Sequence, residues 1–331
     1  MNALPLHRQE KDFDTYGIVL PKQNLANWMI KSANDWLLPI YQKVKEALLQ
    51  ETVIHCDETV VQVLREPNRK AESNSYMWLY RSCEASVPKV IFEYQETRSS
   101  SHPKRFFDGY QGYIHCDGYS GYHNLPGEIT IVGCLAHARR KYDECIKSLS
   151  KEEQKTTKAW EALQFCRILF DIEERLKDRT PEERYEQRLE LSQPILEAFL
   201  VWLEKTSPYV APKSALGKAI YYTLAQWKYL KNYLLDGRLV LSNNLAERSI
   251  RPFVQGRKNW MFCNTPKGAA TSAIIYSIIL TAQENGLVAR HYLTYLFEQL
   301  PNLSFKEDPQ LLADYLPWSD KLPEWCKKET K

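Results

Sequence analysis

Val53-Ile54-His55-Cys56-Asp57-Glu58-Thr59-Val60-Val61 reads as a β-strand with an acid at its centre. Successive side chains of a strand point to opposite faces, so Ile54, Cys56 and Glu58 lie on one side and His55, Asp57 and Thr59 on the other. Sixty residues after Asp57 the pattern returns in Tyr113-Ile114-His115-Cys116-Asp117-Gly118-Tyr119, an apolar strand ending on an acid followed by glycine. Loops leave sheets at such places, and functional groups collect there. A carboxylate set into a strand is costly to bury without a partner. Two of them point to a shared cation, with a turn-capping acid or a salt bridge as the alternative for either one.

Short β-type runs surround these two: Val53 to Leu64, Tyr76 to Arg81, Val87 to Tyr94, Gly112 to Cys116 and Ile129 to Leu135, separated by Pro, Gly, Asn and Ser clusters. Before them, residues 21–50 have helical periodicity, with Leu25, Trp28, Met29, Ala33, Trp36 and Leu37 at spacings of three and four. After them, Ala136 to Lys147 reads as helix. The stretch from Lys151 to about Leu235 is charged and helix-periodic, broken at Thr180-Pro181, at Pro194 and between Ser207 and Pro212. Further helices are expected over Asn244 to Val254, Ala269 to Asn285 and Arg290 to Leu300. Strands, one helix, a long helical block and then a returning helix describe an α/β core interrupted by an all-helical insertion.

The returning helix carries a third acid in Ser242-Asn243-Asn244-Leu245-Ala246-Glu247-Arg248-Ser249-Ile250-Arg251-Pro252. Ser242 or Asn243 is placed as N-cap, and Asn243, Glu247 and Arg251 share a helix face at spacings of four. A solvated Glu to Arg pair is the plain alternative, worth only about 0.3 to 0.5 kcal/mol. Carboxylates from two strands and a helix make an oxygen-rich set suited to Mg²⁺ or Mn²⁺. Two such ions about 3.5 to 4 Å apart would serve both the attacking and the leaving oxygen of a phosphoryl transfer.

Charge is uneven along the chain. The net +3 over 331 residues argues for no partner by itself, but Gly237 to Gly268 holds six basic residues against one acid. Arg139, Arg140 and Lys141 open the helix after the fifth strand, and Arg257, Lys258 and Trp260 follow Glu247. Cations mixed with an aromatic suit phosphate contact and base stacking, the alternative being a solvated basic face with a core tryptophan. Arg251 is placed on phosphate and Arg248 in packing or pairing. Cys134-x-x-His137 supplies two side chains, too few to complete a zinc site.

Composition sets the outer limits. With 44% apolar and 26% charged residues the chain is of globular type. Its eight cysteines show no CxxC pair, so reduced thiols in the cytoplasm are expected. The charged start Met1-Asn2-Ala3-Leu4-Pro5-Leu6-His7-Arg8 is unlike a signal peptide. The longest apolar run, from Ala273 to Leu280, is too short for a bilayer, so no membrane partner is expected.

Four blocks in order, HCDET at 55–59, HCDGYSGY at 115–122, CLAHARRKYDE at 134–144 and NNLAERSIRPFVQGRKNWMF at 243–262, make the chain resemble the insertion sequence 66 family of DDE transposases. The resemblance runs from about Gly17 to Trp318. It implies a ribonuclease-H-like mixed five-stranded sheet with flanking helices, and the catalytic and metal-holding roles for Asp57, Asp117 and Glu247. It also implies that the helical block lies inside the catalytic fold, since 130 residues separate Asp117 from Glu247. The spans are then a helical lead-in (1–50), the core's first part (51–147), the insertion (148–236), the core's second part with the Glu helix (237–300) and a tail (301–331). Cys134, His137 and Asn243 are placed beside the active site, His137 to orient a carboxylate or touch a phosphate.

The activity so implied is metal-dependent cleavage and strand transfer of double-stranded DNA, at element ends and at a target, by a homo-oligomer on DNA with accessory transposition proteins. Two alternatives are a ribonuclease-H-like nuclease that stops after hydrolysis, and a decayed transposase that only binds DNA. Because relatives of this type usually carry a further N-terminal DNA-binding region, a chain truncated at that end is a further alternative.

Overall fold

The computed structural model describes residues 3–84 and 86–329; the first two residues of the lead-in and the last two of the tail lie outside them. In chain order the chain forms helices α1 (Leu6–Thr15), α2 (Lys22–Ser32) and α3 (Leu38–Leu48), then strands β1 (Val53–Gln62), β2 (Asn74–Ser82) and β3 (Val90–Gln95). A short α4 (Ser101–Phe106) precedes β4 (Gly112–Cys116), β5 (Ile129–Gly133) and α5 (Leu135–Ile146). Helices α6 (Lys151–Lys155), α7 (Lys158–Leu176), α8 (Pro181–Leu191), α9 (Gln193–Thr206) and α10 (Ala215–Leu230) follow, and α11 (Asn244–Trp260), α12 (Pro266–Glu284) and α13 (Ala289–Gln299) complete the set. The strands make one mixed sheet in the order β3-β2-β1-β4-β5. Two compact units divide the chain: Met1–Tyr110 with Leu245–Lys331, and Gln111–Asn244.

In the first unit β1, β2 and β3 are antiparallel, with Asp57 opposite Leu79 and Leu79 opposite Phe92. Alternation gives one face Val61, Met77, Leu79, Val90 and Phe92, and these pack on Ala246, Ile250 and Phe253 of α11 and Ala273, Tyr276 and Leu280 of α12. The helix residues recur at three and four, which is the spacing that keeps one stripe against a sheet. Burying each large aliphatic or aromatic side chain here contributes about 1.5 to 3 kcal/mol. The opposite face stacks Tyr80 on Phe106 of α4, ring centroids 3.6 Å apart.

Strand β3 has its polar backbone covered by α12. Ser277 Oγ accepts from the Phe92 N–H at 2.7 Å, and Thr281 Oγ1 both accepts from the Val90 N–H and donates to the Val90 carbonyl. Serine and threonine within an apolar helix are thereby explained: they satisfy a strand that would otherwise invite another chain.

Several boundaries move from those read in the sequence. Helix α11 runs on to Trp260 through Pro252, rather than ending at Val254. A proline inside a helix costs about 3 kcal/mol or more, and the burial of Ile250, Phe253 and Gly256 along the same stripe offsets it. Trp28 and Met29, expected on the apolar face of the lead-in, are 57% and 42% exposed, whereas Leu25, Ala33 and Leu37 are buried. Helix α1 lies in the expected helical lead-in, before its periodic stretch, whereas α4 has no counterpart among the elements read in the sequence.

The second unit holds the parallel pair β4 and β5, with Ile114 beside Ile131. Helix α5 packs against α7 and α10, and Tyr142 on α5 is hydrogen-bonded to Thr223 on α10 at 2.8 Å. The breaks foreseen at Thr180-Pro181 and Pro194 are helix starts. Thr180 forms a capping box with Glu183, and proline stands in the first turn of α8 and of α9.

Arg188 of α8 is fully buried. Its Nε and Nη2 donate to the two oxygens of Glu173 at 2.8 and 2.6 Å, while Nη1 and Nη2 also donate to the carbonyls of Tyr233, Asp236 and Leu239. All five guanidinium donors are used. One side chain thus ties α8 to α7 and to the segment that precedes α11 in sequence.

Candidate functional site

Asp57 is half-buried in a run where Val53, Ile54, His55 and Cys56 are all buried. Its Oδ1 accepts from the Glu58 N–H at 2.8 Å. Glu58, on the other face, is held by Arg98, whose Nε donates to Glu58 Oε1 at 2.7 Å. On Asp57's own face, two residues along, Thr59 Oγ1 accepts from Arg257 Nη1 at 3.2 Å. Arg257 of α11 therefore reaches the strand that carries Asp57.

Glu247 stands half-buried in the first turn of α11, between buried Ala246 and Ser249. Buried Arg81 of β2 donates to Ser249 Oγ and ion-pairs with Glu284 at 2.9 Å, which fixes α11 and α12 to the sheet. Arg248 pairs with Glu84 at 2.6 Å, the pairing role expected for it. Arg251 and Lys258 are exposed. Trp260 is half-buried, its ring set edge-on to Phe253 with centroids 5.4 Å apart, which is the packing of a core tryptophan.

In the second unit, Asp117 follows β4 and is half-buried after buried Ile114, His115 and Cys116. Its Oδ1 accepts from the Tyr119 N–H at 2.9 Å, the self-made turn that a short acid favours at a strand end. Gly118 leaves room beside it for a side chain of α10. A Cβ there would lie 2.7 Å from the hydroxyl of Tyr222 on α10. Burial, and next the Asp117 carboxylate, push the Tyr222 phenol well above its usual range, so it stays protonated. Lys141 Nζ lies 4.6 Å from the centre of that ring. Tyr222 is a neighbour of Asp117 that the sequence does not reveal, because nothing in a helix-periodic stretch marks which turn faces a strand end.

His123 is stacked on Tyr229 at 4.2 Å. Burial, then Lys228, lower its pKa, and Asp117 opposes them. His115, the partner of Asp117 in the repeated His-Cys-Asp, is buried, with Nε2 3.1 Å from the Gly133 carbonyl. That contact joins β4 to the end of β5, a structural role.

Cys134 caps the start of α5 and is buried. Its Sγ accepts from the Asn243 N–H at 3.1 Å, and the Leu135 N–H donates to the Leu241 carbonyl at 2.8 Å. The start of α5 thus clamps the segment just before Glu247, with Asn243 itself buried. His137, one turn into α5, is half-buried. Arg139 and Arg140 are exposed, and the Arg139 guanidinium lies 5.3 Å from the centre of the Phe170 ring. Every described cysteine is a free thiol.

Carboxylate oxygens are the hard donors that Mg²⁺ and Mn²⁺ prefer, so the chemistry of the three acids fits such an ion. Among the described residues, no group of three or more His, Cys, Asp or Glu side chains is already arranged to hold a metal.

Residues 1–271 match the family model described as Transposase IS66 family, and the chain belongs to that family. Three proteins of Sinorhizobium fredii (strain NBRC 101917 / NGR234) are similar to it. Uncharacterized protein y4jD is 29% identical over 329 residues, covering 96% of this chain and 63% of that protein. Uncharacterized protein y4hP is 29% identical, covering 90% and 58%, and uncharacterized protein y4qI is 27% identical, covering 97% and 60%. The chain thus spans about three fifths of the length of these relatives. No solved structure matches it. Among the described residues no helix is long and apolar enough to cross a membrane.

Proposed function

We propose that this chain is a DNA transposase that cuts and rejoins phosphodiesters with Asp57, Asp117 and Glu247, on a ribonuclease-H-like fold into which residues 148–236 are inserted. The observation that carries the reading is the placement of these acids. Each directly follows a buried residue, Cys56, Cys116 or Ala246, and is itself only partly buried, at a strand centre, a strand end and the first turn of a helix. Family membership supplies the class of reaction.

Asp57, Asp117 and Glu247 would hold Mg²⁺ or Mn²⁺, two ions in the full site, and the bound cation supplies positive charge against the phosphodiester. The backbone N–H groups of Glu58 and Tyr119 each fix one oxygen of an aspartate. The proton lost by the attacking water or 3′-hydroxyl passes through solvent to the departing 3′-oxygen, so the carboxylates end each step unchanged. In cleavage the oxygen of water bonds to phosphorus and the 3′-oxygen leaves; in strand transfer the freed 3′-hydroxyl attacks a target phosphodiester, whose own 3′-oxygen leaves. Arg251, Lys258, Arg139 and Arg140 are exposed, and in this reading they contact duplex phosphates. Arg257 and Trp260 serve by packing, through Thr59 and Phe253. His137 and Cys134 act on the positions of their neighbours. A homo-oligomer on DNA, with accessory transposition proteins, belongs to the same proposal.

The test is a strand-transfer assay with a pre-cut element end and a supercoiled target. Joined products support the proposal, whereas hydrolysis products alone would make the chain a nuclease. Asp57→Ala, Asp117→Ala and Glu247→Ala should each abolish chemistry while DNA binding stays measurable.

A further inference from the structure

Residues 260–264 end α11 and form a tip fixed at both sides. On one side Trp260 packs on Phe253, and the Met261 N–H donates to the Arg257 carbonyl at 2.7 Å. On the other, the Cys263 N–H donates to the Gln62 carbonyl, the Leu64 N–H to the Cys263 carbonyl, and the Arg65 N–H to the Asn264 carbonyl, at 2.9, 3.0 and 3.1 Å. Between these anchors Met261 takes φ 63°, in the left-handed region that disfavours side chains, so the backbone is strained there. What the strain achieves is display: Met261 is 65% and Phe262 45% exposed.

The surroundings of this apolar pair are cationic. Lys258, Lys267 and Arg65 are exposed, and from Arg248 to Gln283 the sequence holds no Asp or Glu. The acid next to Arg65, Glu66, is buried and bound by Arg69, Ser75 and Tyr94. Apolar side chains held out rigidly among cations match a DNA duplex, with phosphates on the cations and a base step at the tip.

We infer that Met261 and Phe262 form a wedge that enters between base pairs and unstacks them when the chain binds duplex DNA. The inference rests on the DNA reading above, and it names residues that act on the shape of the substrate and not on its phosphorus. It also assigns base contact to this pair in place of Trp260, whose ring is engaged by Phe253.

The test uses the whole chain and an AT-rich duplex probed with permanganate, which oxidises unstacked thymines, with affinity followed in parallel by fluorescence anisotropy. The variant is Met261→Gly with Phe262→Ser; glycine suits the positive φ, so the fold and its melting temperature should be kept. Wild type should produce hyper-reactive thymines and bind a duplex with one mismatch about tenfold tighter than a matched one, since an unpaired step is easier to open. The variant should lose both the reactivity and the preference while still binding matched duplex. Equal thymine reactivity in variant and wild type, or none in a wild-type complex that does bind, overturns the wedge and leaves the DNA reading standing. Failure of wild type to bind any duplex overturns both.

Discussion

Asp57 and Asp117 share a sequence pattern, and the two aspartates also share a local device, one carboxylate oxygen held by a nearby backbone N–H. That much follows from short acids at strand centres and ends. Their neighbours do not follow: Thr59 with Arg257, and Gly118 with Tyr222, are contacts between residues 198 and about a hundred positions apart. His123 gives a residue-scale prediction. Its folded pKa is depressed below the usual 6.5, chiefly by burial, so the folded chain holds it neutral. Its contribution is therefore complete above about pH 6.5 and is lost as pH falls through the lower folded value. Thermal unfolding of wild type should lose more stability than His123→Gln on going from about pH 7.5 to about pH 5.5. Parallel pH profiles for the two proteins would mean that His123 is not held neutral.

At the scale of elements, helix starts were the most legible features, because Thr180-Pro181 and Gln193-Pro194 announce themselves by local chemistry. The run of α11 through Pro252 was not, since it depends on how Ile250 and Phe253 seat on a sheet. Arg188 was not legible either; a charged residue in a charged helix gives no sign that it is buried. Removing it takes two hydrogen bonds from Glu173, which keeps Arg184 at 3.2 Å, and one from each of the Tyr233, Asp236 and Leu239 carbonyls. Arg188→Ala should cost about 3 to 5 kcal/mol, read from chemical denaturation, and Arg188→Lys should recover little because it cannot bind Glu173 with two parallel bonds. A cost under about 1 kcal/mol would show that the ion pair is not what fixes these helices. Gly237, whose Cβ would lie 1.7 Å from the Pro181 carbonyl oxygen, belongs to the same fastening.

For the whole molecule, a net charge of +3 conceals a stretch from Arg248 to Gln283 that carries cations and no acid. If Arg65, Arg139, Arg140, Arg251, Lys258 and Lys267 meet phosphates, log K against log salt should have a slope of about −5, and Lys258→Ala should reduce it by about one without changing sequence preference. A salt-independent affinity would contradict this. Membership of the transposase family covers residues 1–271, yet the chain spans about three fifths of its relatives, so activity has to be measured on it directly. The most direct measurement is Mg²⁺- or Mn²⁺-dependent cleavage of DNA bearing the flanking element ends, run with wild type and Glu247→Gln. Metal-dependent cleavage by wild type and none by Glu247→Gln, with DNA binding kept in both, is the predicted result; undiminished cleavage by Glu247→Gln would contradict the role given to the three acids.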